Sequence, residues 1–136
     1  MLATFMAQDR KDRGQSLVEF AMVVPILVVL LMAIVECGRA WMVKQNLTCA
    51  SREGARVAIL PSTDEDDVRN AVNQQLAAAG LDQNATITMT NVGLEGTAGD
   101  EVRVTVQYPF QVLAGSIIPG FSGTVVLSST TVMRHE

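Results

Sequence analysis

The chain reads as an α+β protein in which a long apolar N-terminal helix leads into a small domain with a second helix and an antiparallel sheet of about three strands. Three observations carry this reading. The stretch from Phe20 to Val35 is apolar and free of charge, the segment around Val68–Leu76 has helical spacing, and after Gly80 the strand-like segments alternate with a period of two. The 136 residues allow one compact domain beside the apolar helix, not two.

Residues 1–14 (MLATFMAQDRKDRG) are expected to form a basic leader. They carry Arg10, Lys11 and Arg13, and have no apolar core of their own. A secretory signal would place its apolar stretch inside the leader and a small-residue cleavage site after it. Here the apolar run follows the charges, and Glu36, Cys37, Gly38 and Arg39 come after it without a small-x-small pattern, so the helix is expected to be retained. The charge-free run is about 16 residues, or roughly 24 Å of helix, short of a ~30 Å hydrocarbon core. It reaches spanning length when Leu17 and Val18 are added at one end and Ala40 to Val43 at the other. Residues 15–43 are therefore expected to be a transmembrane helix, with Trp41 at the interface and Arg39 and Lys44 reaching to the headgroups. Glu36 and Arg39, at i,i+3 spacing, are placed to neutralise each other. The Lys/Arg excess before the helix predicts a cytoplasmic N-terminus.

Residues 44–136 are expected to form the extracytoplasmic domain. The helix continues past the membrane, with Leu47, Ala50, Ser51, Gly54 and Ala58 as a stripe of small residues that permits close approach of another backbone. Pro61 should stop it, and Ser62 to Glu65 has the spacing of a capping box for a second helix. Val68, Ala71, Val72, Leu76 and Ala79 then share a face, with Gly80 as the stop. Ile87 and Met89 alternate with threonines, and Val102, Val104, Val106 and Tyr108 alternate with polar residues, which predicts two half-buried strands joined through Gly93, Gly96 and Gly99. A third strand spans Thr124 to Met133, its inward face ambiguous because Val125 and Val126 are adjacent. Between the last two strands, Pro109 to Phe121 is an apolar loop, either tucked under the sheet or left as a docking patch.

Composition excludes several functions. A net charge of −4 with the basic residues spread along the chain argues against nucleic acid as a partner. There is no nucleophile motif, metal set or phosphate loop, and His135 stands alone, so neither catalysis nor a metal or other cofactor is expected. The acidic run Asp64-Glu65-Asp66-Asp67 suits a helix N-terminus, and the acids and glycine of a calcium loop are missing. Cys37 and Cys49 would lie roughly 18 Å apart on one helix, too far for a bridge, and are expected to be mainly buried thiols, with an intermolecular bridge through Cys49 as the alternative.

The informative segment is Arg13-Gly14-Gln15-Ser16-Leu17-Val18-Glu19-Phe20. A peptidase at the cytoplasmic membrane surface needs a flexible, extended scissile residue outside the lipid, and Gly14 supplies that freedom. Cleavage there would remove the leader and leave Glu19 near the new terminus. A carboxylate at a membrane helix needs a partner, and the new α-amino group of Gln15, on the same chain or a neighbour, is the candidate. Alternatively, Glu19 caps the helix N-terminus. Pro25 inside the helix removes a backbone hydrogen bond and introduces either a tolerated kink or one that helps the helix leave lipid.

The run RGQSLVEFAMVVPILVVLLMAIVECGRAW resembles the N-terminal segment of TadE-like proteins, with Gly14 before the cut, Glu19-Phe20 in the processing motif, Pro25 in the helix and Gly38-Arg39 near its end. The resemblance implies a minor pilin or pseudopilin of a Tad/Flp type IV-like pilus in the bacterial inner membrane. It would be processed after Gly14 by a prepilin peptidase, with other pilins and pseudopilins, the inner-membrane assembly platform and membrane lipid as partners. Its rival is a permanently anchored periplasmic binding or scaffold module of a secretion complex, which requires no cleavage.

Overall fold

The computed structural model describes residues 2–60, 63–92, 100–113 and 123–134, with side chains from residue 15 onward. Helix α1 runs Leu2–Ala58 and helix α2 Glu65–Ala77. A single 3-10 turn at Asp82–Asn84 precedes strands β1 (Thr86–Thr90), β2 (Glu101–Gln111) and β3 (Thr124–Arg134). The chain divides into two units, Met1–Cys37 and Gly38–Glu136.

The N-terminal unit is helical from Leu2, and Gly14, whose flexibility would let a peptidase extend it, lies inside α1 in the uncut chain. Leu2, Ala3, Met6, Ala7, Gln8, Arg10 and Lys11 are good helix formers. Carrying a helix through one glycine costs about 1 kcal/mol, whereas starting a second helix after a break repeats the nucleation cost. Pro25 is also accommodated within α1.

The C-terminal unit is built around the predicted small-residue stripe. Leu47, Ala50, Ser51, Gly54 and Ala58 are all buried, and Ala55 joins them. The close approach expected of this stripe is intramolecular. A Cβ on Gly54 would stand 2.5 Å from Val72 Cγ2 and 3.2 Å from Val104 Cγ1, so α2 and β2 both pack onto this point of α1. Beyond Ala58 the helix unwinds through Leu60; Pro61 and Ser62 lie outside the described residues.

Helix α2 is capped by Asp64, one of whose carboxylate oxygens accepts from the Asp67 amide at 2.9 Å, in place of the box expected from Ser62. Aspartate is among the strongest N-caps, and three acids in the next turn favour the same helix end. Val68, Val72 and Leu76 are buried. Ala71 is half-buried, whereas Ala79 lies past the helix end and is exposed. Gly80, at φ 68°, closes the helix: its amide donates to Ala77 O and the Leu81 amide to Leu76 O, the paired bonds of a Schellman motif. Replacing Asp64 with Ala is expected to lower stability by about 1 kcal/mol, read as a fall of several degrees in the thermal midpoint of the detergent-solubilised chain, with Asn at the same position close to wild type.

The sheet is antiparallel in the order β1-β2-β3. Ile87 and Met89 are half-buried, Val102, Val104 and Val106 fully buried, as the alternation predicts. The connecting glycines Gly93, Gly96 and Gly99 lie outside the described residues. Val125 and Val126 are both exposed, and the inward side of β3 is set by Leu127, Ser129, Thr131 and Met133. This side is partly polar because Ser51, buried on α1, meets it: its hydroxyl lies 3.2 Å from Ser129 Oγ and 2.9 Å from Thr131 Oγ1. Ser129 also donates to Thr48 Oγ1 at 3.2 Å, so each hydroxyl in this contact has a partner.

The supposed loop from Pro109 is shorter than expected, since Pro109, Phe110 and Gln111 end β2. Strand β1 stops at the Thr86–Gln107 pair, while β2 continues to pair with β3 as far as Gln111–Thr124. At Pro109 the β1 side of β2 is therefore an edge, where a residue without an N–H is tolerated. Phe110 is tucked into the core at 4% exposure and Leu113 is 53% exposed, while 114–121 lie outside the described residues.

Candidate functional site

From Gln15 to Val35 every side chain except Val24 is exposed, including Leu17, Val18, Phe20, Ile26, Leu30 and Ile34. An α-helix satisfies its own backbone polar groups, so one that shows apolar side chains over this length suits a hydrocarbon environment. Helix α1 from Gln15 is long and apolar enough to cross a membrane, and none of its most apolar stretch is buried. Its length and composition suit a membrane anchor.

The head of this stretch carries the polar residues expected to act. Gln15 Nε2 donates to Glu19 Oε1 at 3.2 Å, the i,i+4 contact that brings residues one turn apart onto one helix face. Glu side chains on a helix lean toward its N-terminus, so the Glu19 carboxylate is directed at the turn that begins with Gln15. With α1 starting at Leu2, Glu19 is an interior helical residue of the full-length chain and not its N-terminal cap. Phe20 is exposed beside it.

At the start of the C-terminal unit, Gly38 has no neighbouring atom near its Cβ position, and Trp41 is 70% exposed. The Arg39 guanidinium lies over the Phe110 ring, 5.1 Å from its centroid. The Lys44 ammonium donates to the Ser128 carbonyl of β3. Arg39 and Lys44, expected as headgroup anchors, thus also make contacts inside their own domain. Further along, Arg56 pairs with Glu53 at 2.6 Å and holds its carboxyl below the usual range. Cys37 and Cys49 are both exposed, which corrects the expectation of buried thiols: the buried stripe of α1 takes Ala50 and Ser51, and the preceding position turns outward. His135 lies outside the described residues.

Sequence reasoning missed two features of this unit. One is the set of hydroxyls joining Thr48 and Ser51 to Ser129 and Thr131, for which the alternate Ser and Thr of β3 were the only trace. The other is the cavity beside Arg39, whose walls come from segments far apart in the chain.

No curated protein and no solved structure matches the chain. The family model described as TadE-like protein matches residues 14–56, the segment that opens at Gly14, contains the exposed apolar helix and ends in the buried small-residue stripe. Over those residues the chain is similar to TadE-like proteins.

Proposed function

We propose that the protein is a minor pilin or pseudopilin of a Tad/Flp type IV-like pilus, with a structural and not a catalytic role. It sits in the bacterial inner membrane with its N-terminus cytoplasmic and its C-terminal domain extracytoplasmic. In this reading residues 1–14 are the leader, 15–43 the transmembrane helix and 44–136 the pilin-like domain. A prepilin peptidase cleaves after Gly14, and the mature chain joins other pilins and pseudopilins at the inner-membrane assembly platform.

The observation that carries this reading is the exposed apolar helix with Gly14, Gln15 and Glu19 at its head, inside the TadE-like segment. The three cations of the leader favour its retention on the cytoplasmic side. Because Gly14 is helical in the uncut chain, the peptidase must unwind the backbone there, and glycine is the residue at which a helix opens at least cost. Cleavage removes the cations and creates an ammonium at Gln15, one turn before Glu19. The membrane helix then carries matched charges at its head in place of a lone carboxylate.

The deciding measurement is the N-terminal sequence and intact mass of the protein purified from its native membrane with the peptidase present. The expected start is Gln15. A start at Met1, with the peptidase active on another substrate, would favour the permanently anchored periplasmic binding or scaffold module.

A further inference from the structure

Both outer edges of the sheet are unpaired by any strand among the described residues. The Val112 amide donates to the Gly123 carbonyl, which fixes the phase of the β2–β3 ladder. Opposite residues exchange bonds at every second position, so Val125, Leu127, Ser129, Thr131 and Met133 bond to β2, and the peptide groups of Thr124, Val126, Ser128, Thr130 and Val132 point away from the sheet. By the same phase Thr86, Thr88 and Thr90 bond to β2, and the peptide groups of Ile87 and Met89 point outward from β1. Natural sheets blunt long edges with lysine, proline or a bulge. Neither β1 nor β3 as far as Met133 carries a charge, a proline or a glycine. Among the described residues, the side chain that meets the β3 edge is Lys44 of α1, whose ammonium donates to the Ser128 carbonyl.

We infer that the outer edge of β3 receives strand β1 of a second copy of this chain, joining two sheets into one, and that Lys44 limits this addition. Strands β1 and β3 both run antiparallel to β2 and so parallel to each other. A copy displaced sideways in the plane of the sheet therefore presents its β1 to β3 with the helices of both copies on the same face. Within one sheet Thr88, Thr105 and Thr130 stand in a row, the hydroxyls of the last two 2.9 Å apart. Without a shift along the strands this row continues onto Thr88 of the next copy. The Thr130 amide then donates to the Ile87 carbonyl of that copy, and the Thr130 carbonyl accepts from its Met89 amide. The flanking pairs are Ser128 with Thr86 and Val132 with Thr90, hydroxyl and β-branched side chains that pair well across strands. Charge selects β1 as the occupant. Pairing β3 with β3 of a second copy would bring two Lys44 ammoniums to one seam, whereas Thr86–Thr90 brings no charge to it. The Ser128 carbonyl is the acceptor for the incoming Ile87 amide, so Lys44 competes with the addition. The inference rests on copies sharing one membrane, as in the reading above, and it does not depend on cleavage after Gly14.

The test uses the full chain in its native membrane, with Cys37→Ser and Cys49→Ser as background. Two differently tagged copies are co-expressed, one with Thr88→Cys and one with Thr130→Cys, both at exposed positions, and treated with a short bis-maleimide. Equivalent residues of adjacent copies lie three strand spacings apart, about 14 Å, beyond the reach of such a reagent. The Thr88→Cys copy is therefore expected to link to the Thr130→Cys copy, and two Thr130→Cys copies are not. Arg52→Cys, at an exposed position of α1, replaces Thr88→Cys to report random encounter, and the edge pair is expected to link severalfold faster. Lys44→Met keeps the stem without the ammonium and is expected to raise the linking rate by about tenfold, the scale of one hydrogen bond to a charged group. Linking no faster than with Arg52→Cys would overturn the proposal. Preferential linking of Thr130→Cys with itself would overturn it too, by assigning the edge to β3 of the second copy, and an unchanged rate in Lys44→Met would remove Lys44 from it. Failure of the reading above is seen separately, as chain recovered outside the membrane fraction or as the uncut mass of the linked copies.

Discussion

Gly54→Leu is expected to destabilise the C-terminal domain by about 3 kcal/mol, the upper part of the range for overpacking, and to lower its thermal midpoint by on the order of 10 °C or more. The reason is the meeting of three elements at one backbone position. Even a bare Cβ at residue 54 would approach Val72 Cγ2 to 2.5 Å, and real Cβ contacts do not come this close. Val72 cannot yield easily. It is β-branched, held to one dominant rotamer in a helix, and fully buried between its neighbours. On the other side Val104 Cγ1 stands at 3.2 Å from the same point, in the central strand of the sheet. Gly54→Ala separates two opposing effects. Alanine gains about 1 kcal/mol in helix propensity, yet needs α2 or its valine to retreat by a fraction of an ångström or more. The contact is expected to win, leaving a net loss of about 1 kcal/mol. Thermal unfolding of both variants in detergent checks this, and an Ala variant more stable than wild type would mean that α2 packs less tightly on α1 than described.

How much of this was legible in the sequence depends on what kind of signal each residue carries. Apolar alternation placed Val102, Val104 and Val106 on the buried side of β2, and helical spacing placed Val68, Val72 and Leu76, because burying these side chains is what holds the elements together. Gly54 was readable as a point of close approach, but not as one met by Val72 and Val104, since small size says nothing of the partner. Hydroxyl side chains were the weak point. Ser129 and Thr131 face the helix while Thr130 faces away and pairs with Thr105, and only the hydroxyl of Ser51 across the contact decides which side is inward. Pro109 read as the first residue of the apolar segment joining the last two strands, yet it lies within β2. Strand β2 is central only as far as Gln107, and that follows from the length of β1. At the candidate site, the partner expected for Glu19 was a new α-amino group at Gln15; the contact in the uncut chain comes instead from the Gln15 side-chain amide, which the sequence reading did not single out. The helical state of Gly14 was not readable, because it depends on the cooperative cost of breaking a helix that extends on both sides.

Glu19→Ala is expected to leave membrane insertion intact and to remove the protein from the pilus fraction. Insertion should survive because the substitution takes a carboxylate out of an apolar helix. Such a group costs about 2.5–3.5 kcal/mol at the bilayer centre and less toward an interface, so the variant is the more lipid-compatible chain. Assembly should fail because the carboxylate is the one charged group between the proposed cleavage point and Val35. In a fibre that excludes water it is the only anion in that stretch able to meet the ammonium created at Gln15. If the partner is the ammonium of a neighbouring subunit, the pair sets axial register as well as neutralising charge. Loss of the carboxylate then leaves an unpaired cation among apolar helices, a larger penalty than the pair itself is worth. Glu19→Gln tests the same point with the shape and hydrogen-bonding capacity retained, and it too should fail to assemble. Membrane and sheared-fibre fractions of cells expressing each variant, probed alongside the mass of the membrane form, separate a processing defect from an assembly defect. Wild-type amounts of Glu19→Ala in the fibre fraction would show that charge pairing at this helix head does not direct assembly, leaving apolar packing of residues 15–43 as the force that holds the subunit in place.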